Sequence, residues 1–216
     1  MHNNNRSVVV LISGNGSNLQ ALMDFSSAGN YRVSGVISNK HDAYGLQRAE
    51  QSNIPTTVVD HKQYASRGLF DQALTQAIDE YEPGLIVLAG FMRILGADFV
   101  KRYQGKILNT HPSLLPNYPG TNTHQRALDA GEKLHGVSVH FVTEELDGGP
   151  VIAQESIAIE SIDDAKTLAM KIREKEHVLY PAVVSLFADG RLSLDGKNAF
   201  LDDQLLPETG QQIDAS

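Results

Sequence analysis

The stretch Ser7-Val8-Val9-Val10-Leu11-Ile12-Ser13 is β-branched and apolar with no polar break, so a strand made from it needs cover on both faces. Similar runs recur at Val33-Ser34-Gly35-Val36-Ile37-Ser38, Thr56-Thr57-Val58-Val59 and Leu85-Ile86-Val87-Leu88-Ala89, with helical segments between them. One of these, 70–81, spaces Phe70, Leu74, Ala77, Ile78 and Tyr81 along a single helical face. Alternating strand and helix predicts right-handed βαβ units. The expected fold is therefore α/β: an open, mostly parallel twisted sheet with helices on both faces.

The second half changes pattern. Val137-Ser138-Val139-His140-Phe141-Val142 alternates, and Val151-Ile152-Ala153-Gln154-Glu155-Ser156-Ile157-Ala158-Ile159 comes after a tight turn, which predicts paired antiparallel strands at one edge of the sheet. A long helix is expected over 163–188, with Leu168, Ile172, Leu179, Val183 and Leu186 as its apolar stripe and Pro181 kinking it or ending its first part. Residues 191–194 and 199–201, around Asp195-Gly196-Lys197-Asn198, read as a hairpin. Residues 207–216 read as a disordered tail, and the polar start, Met1 to Arg6, as a frayed end.

A length of 216 residues suits one domain with a sizeable core, expected over 1–216. No apolar run approaches the roughly 20 residues of a membrane helix, and the start lacks the apolar region of a secretory signal, so a soluble, cytoplasmic chain without membrane contact is expected. The absence of cysteine removes disulfides, thiolate metal sites and cysteine nucleophiles. A net charge of −8 argues against a broad nucleic-acid footprint, leaving small molecules as the expected partners.

Three loops would leave such a sheet at its carboxyl edge, where α/β folds bind ligands. Gly14-Asn15-Gly16-Ser17-Asn18 ends the first strand and opens a helix, with Ser17 as the expected N-cap. Its glycines and the helix N-terminus suit a small phosphomonoester. Leu19 stands where a dinucleotide fingerprint needs glycine, and no Gly-Lys-Ser/Thr ending marks a P-loop. The same loop also reads as a plain capped turn. Phe91, Met92, Ile94 and Leu95 come after the fourth strand and either line a slot for a flat ring or belong to the core.

The third loop, Asn109-Thr110-His111-Pro112-Ser113-Leu114-Leu115-Pro116, begins where the apolar pair Ile107-Leu108 ends. Asn109 and His111, two residues apart on a strand end, point the same way, and Pro112 and Pro116 stiffen the loop beyond them. Asp147, in Glu145-Leu146-Asp147-Gly148-Gly149-Pro150, supplies a carboxylate on a turn-prone segment. A carboxylate beside an imidazole favours the imidazolium, which donates to an oxygen gaining negative charge, and the Asn109 amide is a neutral donor to the same oxygen. Capping of the loop and metal ligation are the competing roles for His111. Five of the eight histidines lie in the second half (His111, His124, His135, His140 and His177), but no spacing matches a helical His-Glu-x-x-His, so no metal is expected. Glu176 falls on the apolar stripe of its helix, where it either meets a ligand or packs its stem while the carboxylate snorkels out.

Four segments in order, Val10 to Gln20 (VLISGNGSNLQ), Leu88 to Leu95 (LAGFMRIL), His111 to Pro116 (HPSLLP) and Glu145 to Ile152 (ELDGGPVI), resemble the phosphoribosylglycinamide formyltransferases, folate-dependent enzymes of purine synthesis. The resemblance covers nearly the whole chain. It implies formyl transfer from 10-formyltetrahydrofolate as co-substrate to the amine of 5-phosphoribosylglycinamide (GAR), with Asn109, His111 and Asp147 as the catalytic set and no metal. It further implies that Gly16, Ser17 and Asn18 hold the substrate phosphate, and that Arg173 and Glu176 reach its ribose and glycinamide side. Arg67, Met92, Arg93, Ile94, Leu95, Asn109, Thr143, Glu144, Glu145, Leu146 and Asp147 would form the folate site, Arg67 taking the glutamate tail. Residues 7–105 would then be the phosphate-binding half and 106–201 the catalytic and folate-binding half, in a monomer or homodimer. Thr110 stands where isoleucine is usual and Asn122 where histidine is common. Methionyl-tRNA formyltransferase and formyltetrahydrofolate deformylase share the catalytic set, but each carries a further domain. A non-catalytic nucleotide-binding domain would keep Gly14 to Asn18 without needing Asn109, His111 and Asp147 together.

Overall fold

A computed structural model describes residues 6–211. Its main sheet has seven strands: β1 (Ser7–Ile12), β2 (Arg32–Ser38), β3 (Thr56–Val58), β4 (Leu85–Leu88), β5 (Ile107–His111), β6 (Leu134–Phe141) and β7 (Val151–Ala158). They lie in the order β3-β2-β1-β4-β5-β6-β7. The first five run parallel; β6 and β7 are antiparallel additions at one edge, as the change from continuous to alternating apolar sequence predicts. The α-helices among the described residues are α1 (Ser17–Phe25), α2 (Tyr44–Gln51), α3 (Arg67–Asp79), α4 (Ala97–Arg102), α5 (Thr123–Asp129) and α6 (Ala165–Ala188).

Burial on both faces follows from the period of two along a strand. Val8, Val10 and Ile12 of β1 pack in one apolar cluster with Leu19 and Leu22 of α1 and Ile172, Leu179 and Val183 of α6. Val9 and Leu11 face the other way, into a second cluster with Phe70, Leu74 and Ile78 of α3 and Phe99 of α4. At about 25 cal/mol per Å² of apolar surface removed from water, these two layers supply most of the drive to fold. Tyr180 of α6 is buried and donates its hydroxyl between the carbonyls of Leu88 and Leu108, pinning α6 over β4 and β5.

Pro181 does not end its helix: α6 runs unbroken to Ala188, because the proline forfeits one backbone bond while Tyr180, Val183, Val184 and Phe187 around it are buried. Within the tail, residues 207–211 are described. Gln211 donates its N–H to the Ile152 carbonyl at 2.9 Å beside β7, and Gly210, at φ +71°, lies where a Cβ would meet the Ile152 backbone at 2.6 Å. Residues 212–216 of the expected tail, and 1–5 of the expected frayed start, lie outside the described residues. The hairpin is present as β8 (Leu192–Asp195) and β9 (Asn198–Leu201), and a short third strand, β10 (Gln204–Leu205), extends it.

Candidate active site

The ends of β1, β4 and β5 bring the three loops to one edge. After β1 the chain turns on Gly16, which is the residue capping α1, at φ 75° and ψ 32°. This corrects the assignment of Ser17, which is the first helical residue; no side chain caps α1. Glycine is required at 16 twice over: the left-handed backbone disfavours any Cβ, and one built there would lie 2.7 Å from the Gly45 Cα. The first N–H groups of α1 therefore have neither an intrahelical acceptor nor a side-chain cap, which is how a helix end receives an anion. Arg48 braces the turn, donating to the Asn15 carbonyl at 3.0 Å, to the Asn15 side chain at 3.2 Å and to Gln20 at 3.2 Å.

Asn18 Nδ2 donates to Glu176 Oε2 at 3.1 Å, joining α1 to α6. Glu176 thus does not snorkel. Burial pushes its carboxyl above the usual carboxylate range, against the opposing effects of the Asn18 hydrogen bond and the Arg173 guanidinium. Asn18 Oδ1 is itself buried and has no hydrogen-bond partner. Arg173, one turn before His177, is exposed; burial first, and then the Arg173 charge, disfavours protonation of His124 and His177.

At the end of β5, Asn109 and His111 lie on the same side of the strand, opposite His140 and Ser138 of β6. His111 Nδ1 lies 3.5 Å from Asp147 Oδ2, with both side chains at most 10% exposed. Its Nε2 is 2.9 Å from the Tyr118 carbonyl, which only accepts, so Nε2 carries a proton. Asp147 sits at φ 51° and accepts the Gly120 N–H at 2.8 Å, tying the loop after β6 to the loop before α5. The turn-prone sequence around it delivers the carboxylate as expected.

Sequence reasoning missed His140 as a partner in the site. Its Nδ1 donates to the Phe141 carbonyl at 2.8 Å, so its Nε2 accepts from Asn109 Nδ2 at 3.1 Å and orients that amide. Complete burial holds His140 well below the ordinary imidazole range, keeping Nε2 an acceptor. Asp147 Oδ1 is 3.9 Å from the same nitrogen, so the carboxylate lies between two imidazoles. The inward alternation of 137–142 was the available signal.

The loop after β4 divides. Phe91 is buried and Leu95 half-buried, as core residues would be, whereas Met92 is 71% and Ile94 57% exposed. Arg67 opens α3, and Arg93 lies over the Phe70 ring at 5.9 Å; both lower the pKa of buried Asp71, which burial raises. Asp71 accepts the Gly96 N–H at 2.9 Å, anchoring the far end of this loop. Thr143, Glu144 and Glu145 line a cavity of about 510 Å³ with Val100, Val142 and Lys197. The residues 92–95 are not in its lining; Leu146 is exposed beside Asp147. Asn122 caps α5 in the left-handed region at φ 57°, a conformation asparagine tolerates. Among the described residues no group of three His, Asp or Glu side chains is placed to hold a metal.

The family model for formyl transferase matches residues 6–184. Phosphoribosylglycinamide formyltransferase of Escherichia coli (strain K12) is 49% identical over 209 residues, covering 96% of this chain and 99% of that protein. The trifunctional purine biosynthetic protein adenosine-3 of Homo sapiens is 45% identical over 193 residues, 88% of this chain but 19% of that protein. The solved phosphoribosylglycinamide formyltransferase of Coxiella burnetii superposes with a TM-score of 0.93 at 50% identity, covering 96% of this chain and 99% of that one.

Proposed function

This chain belongs to the formyl transferase family, and from that premise we propose that it moves the formyl group of 10-formyltetrahydrofolate onto the amine of GAR, giving formyl-GAR and tetrahydrofolate. The observation that carries the reading is the meeting of Asn109, His111 and Asp147 at one sheet edge, alongside the uncapped N-terminus of α1. The phosphate of GAR docks at Gly16, Ser17 and Asn18, with Arg173 and Glu176 on its ribose side. The formyl donor lies along 92–95 and 143–147, with Arg67 at its glutamate end. The setting is the cytoplasm, and no metal takes part.

The amine nitrogen attacks the formyl carbon and forms a tetrahedral intermediate. His111 and the oriented Asn109 amide donate to its oxyanion, while Asp147 stabilises positive charge on His111. The C–N10 bond then breaks, and the proton lost by the amine goes to N10. For His111 Nε2 to reach the substrate oxygen, that oxygen must replace the Tyr118 carbonyl as its acceptor.

The test supplies both substrates and tracks folate absorbance. Wild-type protein should turn over only with the amine present; consumption of folate without it would instead mark a deformylase. His111→Ala and Asp147→Asn should each lose on the order of a hundredfold or more in kcat. Near wild-type turnover in either would overturn the catalytic assignment.

A further inference from the structure

The loop 92–95, exposed at Met92, Arg93 and Ile94, is fixed from beneath by a hydrogen-bonded relay that crosses the sheet edge. The Met92 N–H donates to Ser13 Oγ at 2.8 Å. An N–H can only donate, so Ser13 Oγ is the acceptor there and sends its own proton onward to Asn39 Oδ1, 2.6 Å away. The Asn39 amide oxygen thus faces Ser13 and its nitrogen faces His61 Nδ1 at 3.2 Å, a ring nitrogen that also lies 3.0 Å from the Asn39 carbonyl. Ser13, Asn39 and His61 come after β1, β2 and β3, and Met92 after β4. The two bonds from Met92 through Ser13 to Asn39 thus have a defined direction, across the ends of β4, β1 and β2. Ser13 and Asn39 are 4% and 2% exposed, so water does not replace either partner.

The chain can make this return because of Gly90. The Ala89 N–H still bonds the Leu11 carbonyl in the sheet ladder, then Gly90 at φ +73° turns the backbone so that Met92 comes back over β1. Ser13 also precedes Gly14 directly, so one residue joins the base of the phosphate loop to the base of the opposing loop.

We propose that Ser13 is a positioning residue for the formyl-donor site: with Asn39 behind it, its hydroxyl holds the Met92 backbone so that 92–95 presents its surface to the folate. This rests on 92–95 being part of the folate site. The Met92 N–H is thereby committed inside the protein, and Met92 meets a ligand through its exposed side chain.

Ser13→Ala tests it by steady-state kinetics and by hydrogen exchange at the Met92 amide. The KM for 10-formyltetrahydrofolate should rise about tenfold, as expected for one buried hydrogen bond lost beneath the loop. The KM for GAR should stay within about twofold and kcat within about threefold, and Met92 should exchange faster. Ser13→Thr, which keeps the hydroxyl, should restore the low KM. If Ser13→Ala does not fold, Asn39→Ala carries the same expectation through loss of the orienting acceptor. An unchanged folate KM, an equal rise in both KM values, or an unchanged Met92 exchange rate would each overturn the proposal. Absence of formyl transfer in the wild type would instead sink the functional reading, and the exchange measurement would still decide the role of Ser13 in the loop.

Discussion

Acid should unfold this protein partly through His135, by an amount the structure sets. His135 is 1% exposed on β6; its Nε2 lies 3.1 Å from His124 Nδ1, and its other nitrogen donates to the Pro112 carbonyl. With one nitrogen donating to a carbonyl, Nε2 of the neutral ring accepts from His124. A second proton would set two N–H groups against each other without water. Burial first, then the charge of a protonated His124, lowers the His135 pKa from 6.5 to about 4, while Glu132 and the Pro112 bond pull weakly the other way. The unfolded chain therefore takes up this proton below 6.5 and the folded chain does so only near 4, so stability falls as pH falls through that window. At about 1.4 kcal/mol per pH unit, the loss by pH 4.5 is about 2.5 kcal/mol relative to pH 7.5. Urea unfolding of wild type and His135→Asn at both pH values measures it, each protein being compared with itself so that the cost of truncation cancels. The variant should lose about 2.5 kcal/mol less than wild type. Equal losses in the two proteins would refute the argument that folding excludes a proton from His135.

Gly16→Ala should destabilise by about 1–3 kcal/mol, because the new Cβ meets the Gly45 backbone at 2.7 Å in a left-handed residue, and should raise the KM for GAR far more than that for the folate. Urea unfolding and paired KM measurements check both parts. Thr110→Val should stabilise by about 1–2 kcal/mol with turnover kept, since Thr110 Oγ1 is buried with no hydrogen-bond partner. A thermal melt should show a rise of about 3 °C per kcal/mol.

The strand framework was legible because it depends on composition alone. Val8 to Ile12 can be satisfied only by apolar neighbours on both sides, and the two clusters on opposite faces of β1 are that requirement met. What escaped depended on backbone geometry. Ser17 has the side chain of a cap, but the cap is decided by which residue occupies the left-handed turn, and that is Gly16. The pairing of Gln211 with Ala153 comes from β7 offering an open edge, which the polar residues around it do not announce.

The site shows the same division at finer scale. Asn109, His111 and Asp147 stood out by residue type, yet what orients them is set by strand register. Because β5 pairs with β6 so that Asn109 faces His140 and His111 faces Ser138, the Asn109 amide finds an imidazole acceptor. A slip of one residue would turn β6 over and place Val139 opposite Asn109, with no acceptor at all. The register is held in turn by burial of Val137, Val139 and Phe141 against the α6 face, so apolar packing on one side of β6 fixes the polar chemistry on the other. The Asn109 amide thus meets His140 in a register that apolar packing on the far side of β6 maintains.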